Sequence, residues 1–178
     1  MRTLGAVVRL LAVAAACLMT ACAASAGTSL QPFTAATPEA LRAAHAGRPW
    51  VLVLWSVSCE PCRAELAHWA ERRRENPGIA IEVVSIDDAS ETELAGRLLA
   101  QAGLAVAPPK GKARTARAAQ WIFADDYVER LRHAIDPGWH GEVPRTYFFD
   151  RQSGRTAASG VLAPRDVADW LRRQGGKT

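Results

Sequence analysis

Trp50-Val-Leu-Val-Leu-Trp55-Ser-Val-Ser-Cys59-Glu60-Pro61-Cys62-Arg-Ala-Glu65-Leu66 is the stretch that decides the fold. Trp50 to Trp55 is an unbroken apolar run, which reads as a strand buried on both faces. Arg63 to Glu75 reads as a helix. The two cysteines therefore stand at a strand-to-helix turn, at or near the helix N-terminus. Unpaired backbone N–H groups and the positive end of the helix dipole favour an anion there. For cysteine that anion is the thiolate, and such positions lower a thiol pKa from about 8.5 to roughly 3.5–7.5. Cys59 is the expected exposed nucleophile. Cys62, one turn inside, is the expected resolving thiol. Pro61 suits a first helical turn, where a missing N–H costs little. Glu60 is expected to be exposed.

Zinc and structural readings of the Cys-x-x-Cys are weaker. A four-thiolate zinc site needs a second cysteine pair, and His45, His68, His133 and His140 show no close ligand spacing. No metal site is expected. Glu65 lies three residues past Cys62, a spacing that shares one helical face. A carboxyl partly buried there has a raised pKa and can exchange a proton with a thiol.

A second motif stands far along the chain, Val143-Pro144-Arg-Thr-Tyr-Phe-Phe-Asp150. A proline leading into a strand is acceptable at its first position. Together with Leu54-Trp55-(x)3-Cys59-Glu60-Pro61-Cys62-Arg63-Ala64-Glu65, it resembles the thioredoxin superfamily, and within it the TlpA/ResA-like membrane-anchored thiol-disulfide oxidoreductases of bacteria. The resemblance covers roughly residues 48–173. It departs at Ser58, where a Trp usually precedes the first cysteine, and at Leu66-Ala67, which lacks a common proline. It implies an α/β thioredoxin-like fold: a central mixed sheet flanked by helices, with an insertion before the cis-proline strand. It also implies that Pro144 is cis, faces the thiols and keeps metal from them, and that the Val143 backbone, with Glu60 and Pro61, borders bound substrate. Glu65 takes the family's proton-transfer role. The buried acid of plain thioredoxins would fall at Val53, so that acid is absent here.

The N-terminus reads as a targeting segment. Arg2 and Arg9 precede a short apolar core, Leu10 to Met19, too short to span a bilayer. Residues 1–26 are expected to be a signal peptide. Cleavage falls before Cys22 if Met19-Thr-Ala-Cys22 is a lipobox, with Cys22 lipidated, and otherwise near Ala26. Only Cys59 and Cys62 then remain in the exported domain, a working pair rather than a disulfide framework. The whole chain of 178 residues carries 22 Lys+Arg against 18 Asp+Glu, and losing Arg2 and Arg9 leaves 20 against 18. That near-neutral balance gives no argument for nucleic acid.

The remaining chain reads as one domain. Residues 27–36 are expected to be a linker, with a short edge strand around Leu30 to Phe33; 37–174 the thioredoxin-like domain; and 175–178 a free tail. Thr37-Pro38-Glu39 opens a short helix. Ile79 to Asp87 is a β-branched strand, parallel to the first through a right-handed βαβ unit. Ser90-Glu-Thr-Glu93 reads as a capping box for a helix that buries Leu94, Leu98 and Ala102. Leu104 to Phe123 reads as an insertion. Asp125 to Ile135 reads as a helix, Arg155 to Val161 as an antiparallel strand, and Pro164 to Arg173 as the closing helix.

These readings converge on disulfide exchange in the periplasm of a Gram-negative bacterium, in the reducing direction. The Cys59–Cys62 disulfide is its own redox centre, with no separate cofactor. Expected partners are protein disulfides, a membrane electron donor that re-reduces the pair, and the membrane itself through Cys22. Two alternatives use the same thiols: a disulfide oxidase or isomerase, and a copper-binding lipoprotein, since soft thiolates suit Cu(I).

Overall fold

The computed structural model describes residues 30–104 and 119–175. The signal segment 1–26 with Cys22, most of the 104–123 stretch, and the end of the tail lie outside the described residues. Six strands form one mixed sheet in the order β1-β4-β3-β2-β5-β6. They are β1 (Gln31–Phe33), β2 (Trp50–Trp55), β3 (Ala80–Ser85), β4 (Ala119–Phe123), β5 (Arg145–Phe149) and β6 (Arg155–Ser159). β1 through β4 run parallel, while β5 is antiparallel to β2 and β6 to β5. Among the described residues, five α-helices cover the sheet: α1 (Thr37–Ala44), α2 (Glu60–Glu75), α3 (Thr92–Gln101), α4 (Val128–Ile135) and α5 (Pro164–Arg173).

The apolar run of β2 is continuous because both faces of the sheet are covered. Val51, Val53 and Trp55 enter one core with Leu66, Trp69, Leu99, Trp170 and Leu171, from α2, α3 and α5. Trp50, Leu52 and Leu54 enter the other with Leu41, Leu131 and Ile135, from α1 and α4. The period-2 alternation of the strand thus sorts one sequence into two layers.

The short edge strand expected around Leu30 to Phe33 is present at the edge of the sheet. Gln31–Phe33 is a sheet strand paired with β4, and Phe33 is fully buried. An aromatic side chain with a covered sheet edge beside it gains too much by burial to stay in a linker. Of the stretch read as an insertion, Ala119–Phe123 is a strand within the sheet, between β1 and β3. Its edges pair on both sides, so it belongs to the core.

Smaller differences have local causes. Thr37 is the first residue of α1 rather than its cap, and its hydroxyl accepts the Thr34 N–H at 2.9 Å. Asp88, not Ser90, opens the next element. Its side chain accepts the Ser90 N–H at 2.8 Å and starts a 3-10 turn, Ala89–Glu91, ahead of α3. α3 buries Ala95, Gly96 and Leu99 most deeply, while Leu98 and Ala102 pack against the same core part-buried. α4 starts at Val128, three residues later than expected, after an Asp125 side chain accepts the Tyr127 N–H. Gly103 ends α3 with φ +79°, a left-handed conformation that favours glycine.

Candidate active site

β2 delivers the chain to the end of the sheet where Cys59 becomes the N-cap of α2. The redox helix begins at Glu60, so the first cysteine sits directly on its N-terminus. The Cys62 N–H donates to Cys59 Sγ at 3.2 Å. The two cysteines are joined as a disulfide, with Cα atoms 5.3 Å apart. Cys62 is fully buried while Cys59 is half-buried, and Glu60 and Pro61 are exposed. An incoming sulfur therefore has access to Cys59.

β5 lies beside β2, with Arg145 opposite Leu54. The Val143–Pro144 bond just before it is cis, as the resemblance implied, and it stands at the end of the sheet from which Cys59 departs. Val143 packs against both cores. The Pro144 carbonyl accepts the Gly160 N–H at 2.8 Å, which ties this loop to the end of β6. Glu142 steadies the loop from the other side. It accepts from Ser159 Oγ at 3.1 Å and the His140 N–H at 3.3 Å, and pairs with Arg145 at 3.3 Å. Trp139 is buried and donates its indole N–H to the Glu142 carbonyl at 2.9 Å, whereas His140 is exposed.

Glu65 is 1 % exposed. Its carboxyl accepts the Trp69 indole N–H at 2.7 Å and the Leu162 backbone N–H at 2.9 Å. Burial raises its pKa above the ordinary carboxylate range, and those two donors together with the nearby His68 offset the rise only in part. It lines a narrow gap between α2 and α5, with His68, Arg72, Leu162 and Val167. A carboxyl one turn from Cys62, holding its proton more tightly than in water, can act as a proton store for a thiol.

This has a consequence for stability. A carboxyl whose folded pKa lies above its unfolded one binds more protons in the folded state between those two values, so stability falls as pH rises through that interval. The contribution is complete below the unfolded value, about 4.3, and is lost as pH passes the raised folded value. Glu65→Gln is expected to flatten this part of the stability profile. Urea midpoints measured from about pH 4 to pH 8 check it, and an unchanged slope in the variant would rule out Glu65 as its source.

Sequence reading missed Asp87. Its carboxylate reaches from the end of β3 to the turn before Cys59, accepting the Val57 N–H at 2.9 Å and Ser56 Oγ at 2.7 Å. The signal available was an acid closing a strand, which usually reads as an ordinary turn residue. Also missed was a buried triad on the opposite face, where Glu82 bonds His45 Nε2 at 2.8 Å and Trp121 Nε1 at 2.7 Å. Among the described residues, no three His, Cys, Asp or Glu side chains converge as a metal site would require.

No family model matches the sequence, and no curated protein does. Solved structures do match. A thiol:disulfide interchange protein of the thioredoxin family from Chlorobium tepidum superposes with a TM-score of 0.56, at 12 % identity, over 76 % of this chain and 85 % of that one. This chain has the thioredoxin fold. A secreted disulfide oxidoreductase of Mycobacterium tuberculosis gives 0.52 at 13 % identity, over 74 % of this chain and 85 % of that one. A thio-disulfide isomerase from Thermus thermophilus gives 0.51 at 19 % identity, over 73 % and 81 %. In this chain the cysteine pair at the start of α2 and the cis proline at the start of β5 stand at neighbouring strand ends, with 5.3 Å Cα–Cα within the pair.

Proposed function

We propose that this protein is a thiol-disulfide oxidoreductase that reduces disulfides in other proteins. The observation that carries the reading is the asymmetry of the pair: Cys59 half-buried as the cap of α2, Cys62 fully buried behind it. The Cys59 thiolate attacks one sulfur of a substrate disulfide. That S–S bond breaks, and the departing substrate thiolate takes a proton. The Cys62 thiol, giving its proton to Glu65, then attacks Cys59. The second substrate thiol leaves, and the Cys59–Cys62 disulfide closes. Two electrons have passed to the substrate, and a dithiol or membrane-borne electron donor must return two to the pair.

In this reading Val143 and the Pro144 loop present a backbone edge to the substrate, with Glu60 and Pro61 on the opposite lip. The domain works outside the cytoplasm of a Gram-negative bacterium, held to a membrane by lipidated Cys22. Among the described residues, no helix is long and apolar enough to cross a membrane. The reducing direction rests on the resemblance to TlpA/ResA-like proteins, and the raised proton affinity of Glu65 suits a buried resolving thiol.

The test is the reduction potential of the Cys59–Cys62 pair, equilibrated against glutathione or dithiothreitol. A value near that of thioredoxin, about −270 mV, is expected. A value near about −120 mV would make the protein an oxidant. Failure to form a reversible disulfide would end the redox reading and turn attention to Cu(I) on the same thiols.

A further inference from the structure

We propose that Asp87 is the positioning residue for Cys59, holding the turn between β2 and α2 in the orientation that makes this cysteine the cap of the redox helix. The inference rests on the exchange chemistry proposed above, in which Cys59 is the attacking thiol. Four residues, Ser56 to Cys59, separate the end of β2 from the start of α2. They form a turn closed by the Cys59 N–H on the Ser56 carbonyl at 3.1 Å. A four-residue turn has few internal bonds, and its orientation needs an outside anchor.

Asp87 supplies that anchor because the β2–β3 ladder continues one bond past the strands. The Ile86 N–H donates to the Trp55 carbonyl at 2.9 Å, which brings the next residue beside Ser56. One carboxylate oxygen then accepts the Val57 N–H at 2.9 Å and the Ser85 hydroxyl. The other accepts the Ser56 hydroxyl at 2.7 Å. The Ser56 hydroxyl in turn accepts the Ser58 N–H at 3.3 Å and meets the Ser58 hydroxyl at 3.1 Å. The polar atoms of the turn thus converge, directly or through Ser56, on one side chain from a different strand. These partners are neutral donors, so what the carboxylate provides is geometry.

Ser58 gives the arrangement its meaning. The side chain next to Cys59 is small, polar and exposed, where a large aromatic commonly stands in the resembling family. It cannot hold the turn by packing, and the hydrogen-bonded network takes that part. If the turn loosens, Cys59 Sγ loses its alignment with the Cys62 N–H and with the helix N-terminus, and its thiolate loses stabilisation.

The charge and the geometry of Asp87 predict opposite results. A nearby carboxylate disfavours a thiolate, so if charge alone mattered, Asp87→Ala and Asp87→Asn would both make Cys59 more reactive. Positioning predicts that Asp87→Ala slows alkylation of reduced Cys59 by iodoacetamide at about pH 7 by roughly tenfold and moves the pH midpoint upward. Asp87→Asn, which keeps an oxygen for the Val57 N–H, restores most of the rate. The full chain is used, with thermal unfolding recorded in parallel. A lower melting temperature with an unchanged alkylation profile would reduce Asp87 to a structural role, and faster alkylation in both variants would overturn the proposal. Wild-type protein that exchanges no disulfide would instead remove the reading beneath it.

Discussion

Cys59→Ser is expected to bring disulfide reduction down to the uncatalysed background, and Cys62→Ser to stop turnover while trapping substrate. The two outcomes differ because the two sulfurs are placed differently. Cys59 is half-buried at the cap of α2, where a partner disulfide can reach it and helix dipole and N–H groups favour its thiolate. Cys62 is 0 % exposed and can react only with the sulfur beside it. Without Cys62 the first half-reaction still runs, and the mixed disulfide has no internal route to resolution. Incubation with a disulfide substrate, followed by mass spectrometry without reductant, should show a covalent one-to-one adduct for Cys62→Ser and none for Cys59→Ser. The reverse pattern would exchange the roles of the two cysteines. Adducts from neither variant would remove exchange chemistry from the protein.

Glu82→Ala should be the most damaging substitution away from the thiols. Glu82 is 4 % exposed on β3, facing the α1 and α4 side of the sheet. Its carboxyl holds His45 Nε2 at 2.8 Å and Trp121 Nε1 at 2.7 Å, joining α1 and β4 to β3. His45 stacks on Trp50 with centroids 4.9 Å apart, and Trp50 on Phe149 at 4.1 Å. Removing the carboxyl leaves two part-buried donors without an acceptor, one of them on the ring that stacks on Trp50. Breaking such a network from one side costs about 3–5 kcal/mol. In a domain of this size, that is a fall in melting temperature on the order of 10 °C. Glu82→Gln keeps one acceptor and should lose less. A double variant lacking both His45 and Glu82 should lose less than the sum of the single variants. A change under about 1 kcal/mol for Glu82→Ala would mean that the apolar stack alone holds α1 in place.

What could be read from the sequence was what is local. The β2 run, the thiols, Pro61 and the helix after them lie within one continuous stretch, and strand and helix periods mark them directly. Leu66, Trp69 and Ala70 are buried at helical spacing on α2, and so are Val167, Trp170 and Leu171 on α5. Glu65 was legible from its distance to Cys62, but its hydrogen bond to Leu162, 97 residues away, was not. Glu82 and Asp87 were missed for the same physical reason. A carboxylate's environment is made by partners that only the folded sheet brings near: 37 and 39 residues distant for Glu82, 31 and 30 for Asp87. On α3, Leu98 and Ala102 pack against the core as expected, but Ala95 and Leu99 lie deeper in it. β1 was expected as a short edge strand around Leu30 to Phe33, and it spans Gln31–Phe33.

The strand order carries one more implication, for the order in which the parts become available. The thiols stand at the start of α2, just past β2, whereas the cis-proline loop, the Gly160 N–H that holds it and the Leu162 N–H that holds Glu65 all come from the last third of the chain. On the proposed function, a chain made from its N-terminus displays two free cysteines well before it possesses the surface proposed to select their partners. Until β5 inserts beside β2, the pair is a bare dithiol, open to any disulfide that meets it. On that reading discrimination is the last property the molecule acquires, and a chain cut short before residue 143 would keep its thiols and lose its judgement.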